Sequence, residues 1–158
     1  MSKTPHLKQV APVSARLVAI ATIDLVIGVL ALLSMLFMPA TVELFGMEVL
    51  AWAALSIAVL AVTIGALGIL AGYGVLTDLI LGTAGSLFKL RVTKHLAYLK
   101  SFLCMIAFLY AVALSLSLAN LIFYFVLAAF DAGMGYMASS LVKMMSAPYG
   151  AMSYKLDL

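Results

Sequence analysis

Charge is what this chain has least of. Of its 158 residues 9% are charged against 66% hydrophobic, which leaves too little polar surface to solvate a water-soluble globule. Cysteine is almost missing: Cys104 stands alone in an apolar stretch, which excludes an intramolecular disulfide and a paired-thiol redox cycle and leaves it as a small packing residue. Histidine is limited to His6 and His95, neither inside an apolar run, so a pair of axial imidazoles for an embedded haem is excluded. Gln9 and Asn120 are the only amides, a scarcity that fits a thermophilic source and a membrane protein alike. Serines have no histidine near them in the pattern, and no glycine-rich phosphate cradle opens a helix after a strand. The expectation is a protein that is not an enzyme, with no cofactor and no metal.

Long apolar runs are what is present. Leu17 to Met38 is long enough as a helix to cross a bilayer, Pro39 ends it, and Lys3, Lys8 and Arg16 precede it. The run exceeds a signal peptide and no A-x-A site follows, so it reads as a retained anchor. Ala40 to Glu48 carries Glu43 and Glu48 without a base, the pattern of a short external loop. A second run extends from Val49 to Gly72, with the exit placed between Leu70 and Leu76. Residues 78–94 then mix apolar side chains with Lys89, Arg91 and Lys94, which suits an interfacial segment or a solvated loop.

Ser101 to Met137 carries Asp131 as its only formal charge and is too long for one ordinary span. Two helices, turning at Ser115-Leu116-Ser117, bring Lys143 and Lys155 to the side that holds the other basic residues. The fold expected is therefore all-α: an integral membrane four-transmembrane-helix bundle, one domain over 1–158, with spans at roughly 17–38, 49–72, 96–116 and 118–138. Both termini are cytoplasmic in this reading. Arg16, Lys89, Arg91, Lys94 and Lys100 form the cytoplasmic rim, and all nine basic residues lie outside the apolar runs. The net charge of +3 and pI near 9.1 are thereby explained by the membrane, not by nucleic acid.

Two patterns lie inside the spans. Ala51, Ala54, Ala58, Ala61, Gly65, Gly68 and Gly72 recur at alternating steps of three and four, a seam of small residues that admits another backbone, from the same chain or a neighbour. Asp24 and Asp131 lie about seven residues from the cytoplasmic ends of their spans. Each is on a small or polar stripe: Ala21, Asp24, Gly28 and Ala31 in one helix, Asn120, Tyr124, Ala128, Asp131, Gly135 and Ala138 in the other. Both acids therefore face the bundle, as a relay for protons or cations, as partners of Arg16, Arg91 or Lys100, or as hydrogen-bonded neutral acids capping the bundle.

Other motifs fail. Gly72-Tyr73-Gly74 lacks the preceding Thr-Val of a potassium filter and closes a spanning helix. No lysine is buried where a retinal Schiff base would need one. Met134, Met137, Met144, Met145 and Met152 contain soft ligands for Cu(I), but with Leu141 they make an apolar packing stripe and lack a Cys or His cluster.

Through Ala19-Ile20 and Asp24 the first span resembles that of the small multidrug resistance transporters, in which an embedded acid of helix one couples proton and cation exchange. The resemblance covers those residues alone, and this chain is longer. The functional expectation is a non-catalytic structural or accessory membrane subunit, in contact with lipid and with other membrane subunits or copies of itself. The alternatives are a minimal proton-coupled transporter of cations or small solutes using Asp24 and Asp131, and a membrane-embedded building block of a virion or surface filament.

Overall fold

The computed structural model describes residues 4–37, 48–81, 83–113 and 118–153, with side chains for 9–35, 54–81, 83–113 and 118–146 except 120. These residues form four helices: α1 Thr4–Phe37, α2 Glu48–Leu81, α3 Ser86–Ala113 and α4 Leu118–Ser153. Each contains a stretch long and apolar enough to cross a membrane: Gln9–Met35, Ala54–Leu81, Ser86–Ala113 and Leu121–Ser146. At the rise of an α-helix such stretches are about 40 Å long, against roughly 30 Å of bilayer hydrocarbon.

Four boundaries differ from expectation. α1 starts well before Leu17 and runs through Pro12, and α4 continues past Ala138 to Ser153. Residues 78–94, read as an interfacial segment or a solvated loop, are helical on both sides of a turn. α2 continues to Leu81, and α3 starts at Ser86 after a short turn. Gly72, the last member of the small-residue seam, and Gly74 just beyond it are packing positions: a Cβ at Gly72 would strike Val18 of α1, and one at Gly74 would lie 3.1 Å from Cβ of Ser86. Asp78 fixes the turn. Its carboxylate accepts the Ser86 amide at 2.6 Å and the Thr83 hydroxyl, while the Thr83 amide bonds its carbonyl at 3.0 Å. A carboxylate bonded to the first amide of α3 caps that helix. The external segment at 40–48, the turn at Ser115–Ser117, Lys3, Lys8, His6, Met152 and Lys155 lie outside what the structure describes, in backbone or side chain.

The helices alternate in direction. α1 packs on α2, α2 on α3 and α3 on α4, and the thinnest of these four interfaces, α1 with α4, closes the ring. The small-residue seam of α2 lies against α1. A Cβ on Gly65 would be 2.7 Å from the Ala21 carbonyl oxygen, and one on Gly68 2.7 Å from Cβ of Ala21. Gly28 reciprocates from α1, where a Cβ would be 2.8 Å from Cβ of Ala61, and the buried Ser14 hydroxyl donates to the Gly72 carbonyl at 2.7 Å. Small side chains let the two backbones touch, which is how helices associate when no water is expelled. Of the seam, Ala58, Ala61, Gly65, Gly68 and Gly72 are buried and Ala54 half-buried; the side chain of Ala51 is not described.

α3 and α4 meet through the Ser101 hydroxyl, which donates to the Ala128 carbonyl at 2.8 Å, and through Gly135, which leaves room for the Tyr98 ring. Met134, Leu141 and Met145 are core residues, flanked by the partly buried Met137 and Met144. Large apolar side chains such as Leu30, Leu70, Phe102, Leu109 and Phe125 point outward, whereas Asp24, Lys100 and Asp131 are fully buried. That is the reverse of a water-soluble globule.

Candidate functional site

Along α3 one face is drawn in steps of three and four: Leu90, Thr93, Ala97, Lys100, Cys104, Ala107 and Ala111, all buried. Lys100 is the only charged member, and it stands about 20 Å from either end of α3. It was expected at the cytoplasmic rim. The helix begins ten residues earlier than the span read from sequence (86 against 96), which carries Lys100 from a helix end to a helix centre. The expectation that no lysine is buried falls with it.

α1 and α4 present their acids to this amine. Lys100 Nζ donates to Asp24 Oδ1 and, at 2.9 Å, to Asp131 Oδ1. All three side chains are inaccessible to solvent. Asp24 is about 22 Å from Gln9 and about 16 Å from Met35 along α1. Asp131 is about 15 Å from Leu121 and about 22 Å from Ser146 along α4. Both are therefore near mid-helix, not one or two turns from an end, because α1 and α4 extend further on that side. The stripes that carry them face inward: Ala21, Gly28, Ala128, Gly135 and Ala138 are buried, Ala31 and Tyr124 half-buried, and the side chain of Asn120 is not described.

One cation thus faces two anions. With both acids ionised the cluster carries one net negative charge; a proton on either acid makes it neutral. One acceptor is open for such a proton, since Asp24 Oδ2 is buried and has no hydrogen-bond partner among the described residues. The other end of the cluster is closed by Cys104, whose Sγ lies 4.0 Å from Asp131 Oδ2. Removing an ion pair from water costs several kcal/mol per charge, recovered only through good geometry and satisfied lone pairs. The lone oxygen of Asp24 is where this cluster falls short.

Beside the cluster is an apolar cavity of about 220 Å³. α1, α2 and α4 supply most of its wall, including Ile27, Met35, Ile57, Phe123 and Tyr124, and among the described residues Lys100 is the only charged one lining it. The other basic side chains that the structure describes mark one end of the bundle, the end of the α2–α3 turn. Arg16, Lys89, Arg91 and Lys143 are exposed and Lys94 half-buried. His95 is exposed. Among the described residues no group of three His, Cys, Asp or Glu side chains is arranged to hold a metal ion.

Comparison of the chain with protein-family models, curated proteins and solved structures finds no match.

Lys100, one of three bases expected as partners of the acids, was placed at the rim because Lys89, Arg91 and Lys94 precede it and an uncharged run starts at Ser101. The signal that could have found it was the stripe itself. Thr93, Ala97, Cys104 and Ala107 are small residues at the same spacing as the α2 seam, and Lys100 lies in their line.

Proposed function

We propose that this chain is a multi-pass membrane protein with both termini cytoplasmic, acting as a minimal proton-coupled transporter in which Asp24, Lys100 and Asp131 hold the coupling proton. The observation that carries this reading is the buried cluster near mid-helix, with one carboxylate oxygen left unpartnered. Ionisable groups at that depth in hydrocarbon are costly and mark pathways for ions or protons. A purely structural pair would need one acid for one amine. Two acids on one amine leave a position that a proton fills and can vacate. The orientation is supported by the basic end of the bundle, which the positive-inside rule assigns to the cytoplasm.

The test is proton movement in proteoliposomes carrying an interior pH dye, with candidate ions and amphiphiles added outside. Wild type should show solute-dependent proton flux. Asp24→Asn and Asp131→Asn should reconstitute equally well and lose it, because an amide cannot cycle a proton. Flux retained in both variants would sink the reading.

A second reading is a structural or accessory subunit in an oligomer or larger complex. Its support is that the cluster pins α1 to α3 and α4 where the α1–α4 interface is thin. The α2 seam, which fitted a backbone of the same chain or of a neighbour, is occupied by α1 of the same chain. The mass and composition of the gently solubilised particle separate the two: a stable hetero-complex favours the subunit, a lone homodimer the transporter.

A further inference from the structure

We infer that the apolar cavity beside Lys100 is a binding chamber for a small amphiphilic monoanion, an apolar body with one carboxylate or sulfonate head. This names the solute of the transport reading and rests on it for what binding accomplishes. The cavity wall follows α1 from Ile27 to Met35, a length of about 12 Å, and is apolar throughout except at Lys100 and Tyr124. A chamber of that shape takes an extended apolar chain, and its polar end selects the head. Asp24 and Asp131 are not on the wall. Lys100 is the charged residue bordering the chamber, and its amine is covered by the two carboxylates; the head that can take a carboxylate's place on it is an anion.

Charge balance fixes the order of events. Empty, the cluster is neutral with Lys100 charged, one acid ionised and one protonated. An anion arriving at Lys100 displaces the remaining carboxylate, which takes a proton, so one proton enters with one anion and the filled site is again neutral. The titratable groups facing this exchange are Asp24 from α1, Cys104 from α3, and Asp131 and Tyr124 from α4. α2 contributes none: its described titratable side chains, Tyr73 and Asp78, lie in its last third, toward the turn. Binding of a permanently ionised head should therefore weaken by up to about tenfold per pH unit as pH rises, the signature of one linked proton.

The experiment is isothermal titration of the full chain in nanodiscs with hexanesulfonate, hexyltrimethylammonium and hexanol, at several pH values. Hexanesulfonate should bind saturably, one per chain, with that pH dependence, and the other two should not compete with it. Ala31→Phe, which fills the chamber without touching the cluster, should abolish binding while the protein stays folded, as should the charge-balanced double variant Lys100→Gln/Asp24→Asn. Saturable binding of hexyltrimethylammonium in place of the sulfonate overturns the anion assignment and leaves proton coupling standing. Loss of sulfonate binding in neither variant overturns the chamber. If proton flux is absent while binding is present and pH-linked, the transport reading fails and the binding site stands.

Discussion

Lys100 is the residue on which the interior depends. Removing it leaves two carboxylates facing each other without a cation, so Lys100→Met should destabilise the fold by about 3 kcal/mol or more, in the range for breaking a buried ion pair from one side. Asp24→Asn should cost only about 1 kcal/mol, because the amine keeps Asp131 and the amide keeps a hydrogen bond. Thermal unfolding in detergent measures both, and a larger loss for Asp24→Asn than for Lys100→Met would contradict the assignment of charges. The two acids were legible in the sequence, since a lone carboxylate in an apolar run on a stripe of small residues has only the bundle interior to face. Their partner was narrowed to three bases and no further. What hid Lys100 is that a charge at the edge of an apolar run reads as the end of a helix, whereas here the helix had begun with Ser86.

Helix contacts were read by the same stripes, with more success for α2 than for α3. The seam of Ala and Gly marked the close face of α2, and its occupant, α1, follows from the matching Ala21, Gly28 and Ser14. Gly65→Leu should destabilise the protein by about 1–3 kcal/mol or more through overpacking against Ala21 and Leu25. Unchanged thermal stability would mean that α1 and α2 are not in contact there. The α2–α3 turn was not legible, because apolar patterning does not reveal the local cap that sets it: the Asp78 carboxylate reaching the first amide of the next helix. Asp78→Ala removes that cap and should cost about 1–2 kcal/mol, with Asp78→Asn milder, and hydrogen exchange should speed first in the opening turn of α3. Exchange accelerated elsewhere but not there would rule out the capping role.

At the scale of the molecule, four apolar helices and a basic end were plain from composition and charge placement, while the exact depth of every polar group was not. Depth depends on where helices begin, and apolarity alone does not mark that when amphipathic turns precede the span, as at Pro12 and Ser86. Single-cysteine variants in a Cys104→Ala background should label from the cytoplasmic side at positions 8, 91 and 155 and from outside at position 43; position 155 reacting from outside would refute the four-span topology. The central claim, that three buried groups share one exchangeable proton, is tested most directly by infrared difference spectroscopy of the reconstituted protein across pH. Wild type should show the carbonyl band of one protonated carboxylic acid that disappears on raising the pH, and the band should be missing in both Asp24→Asn and Asp131→Asn, each of which is neutral without a proton. A band that survives in either variant, or its absence from wild type at every pH where the protein is folded, would contradict the account.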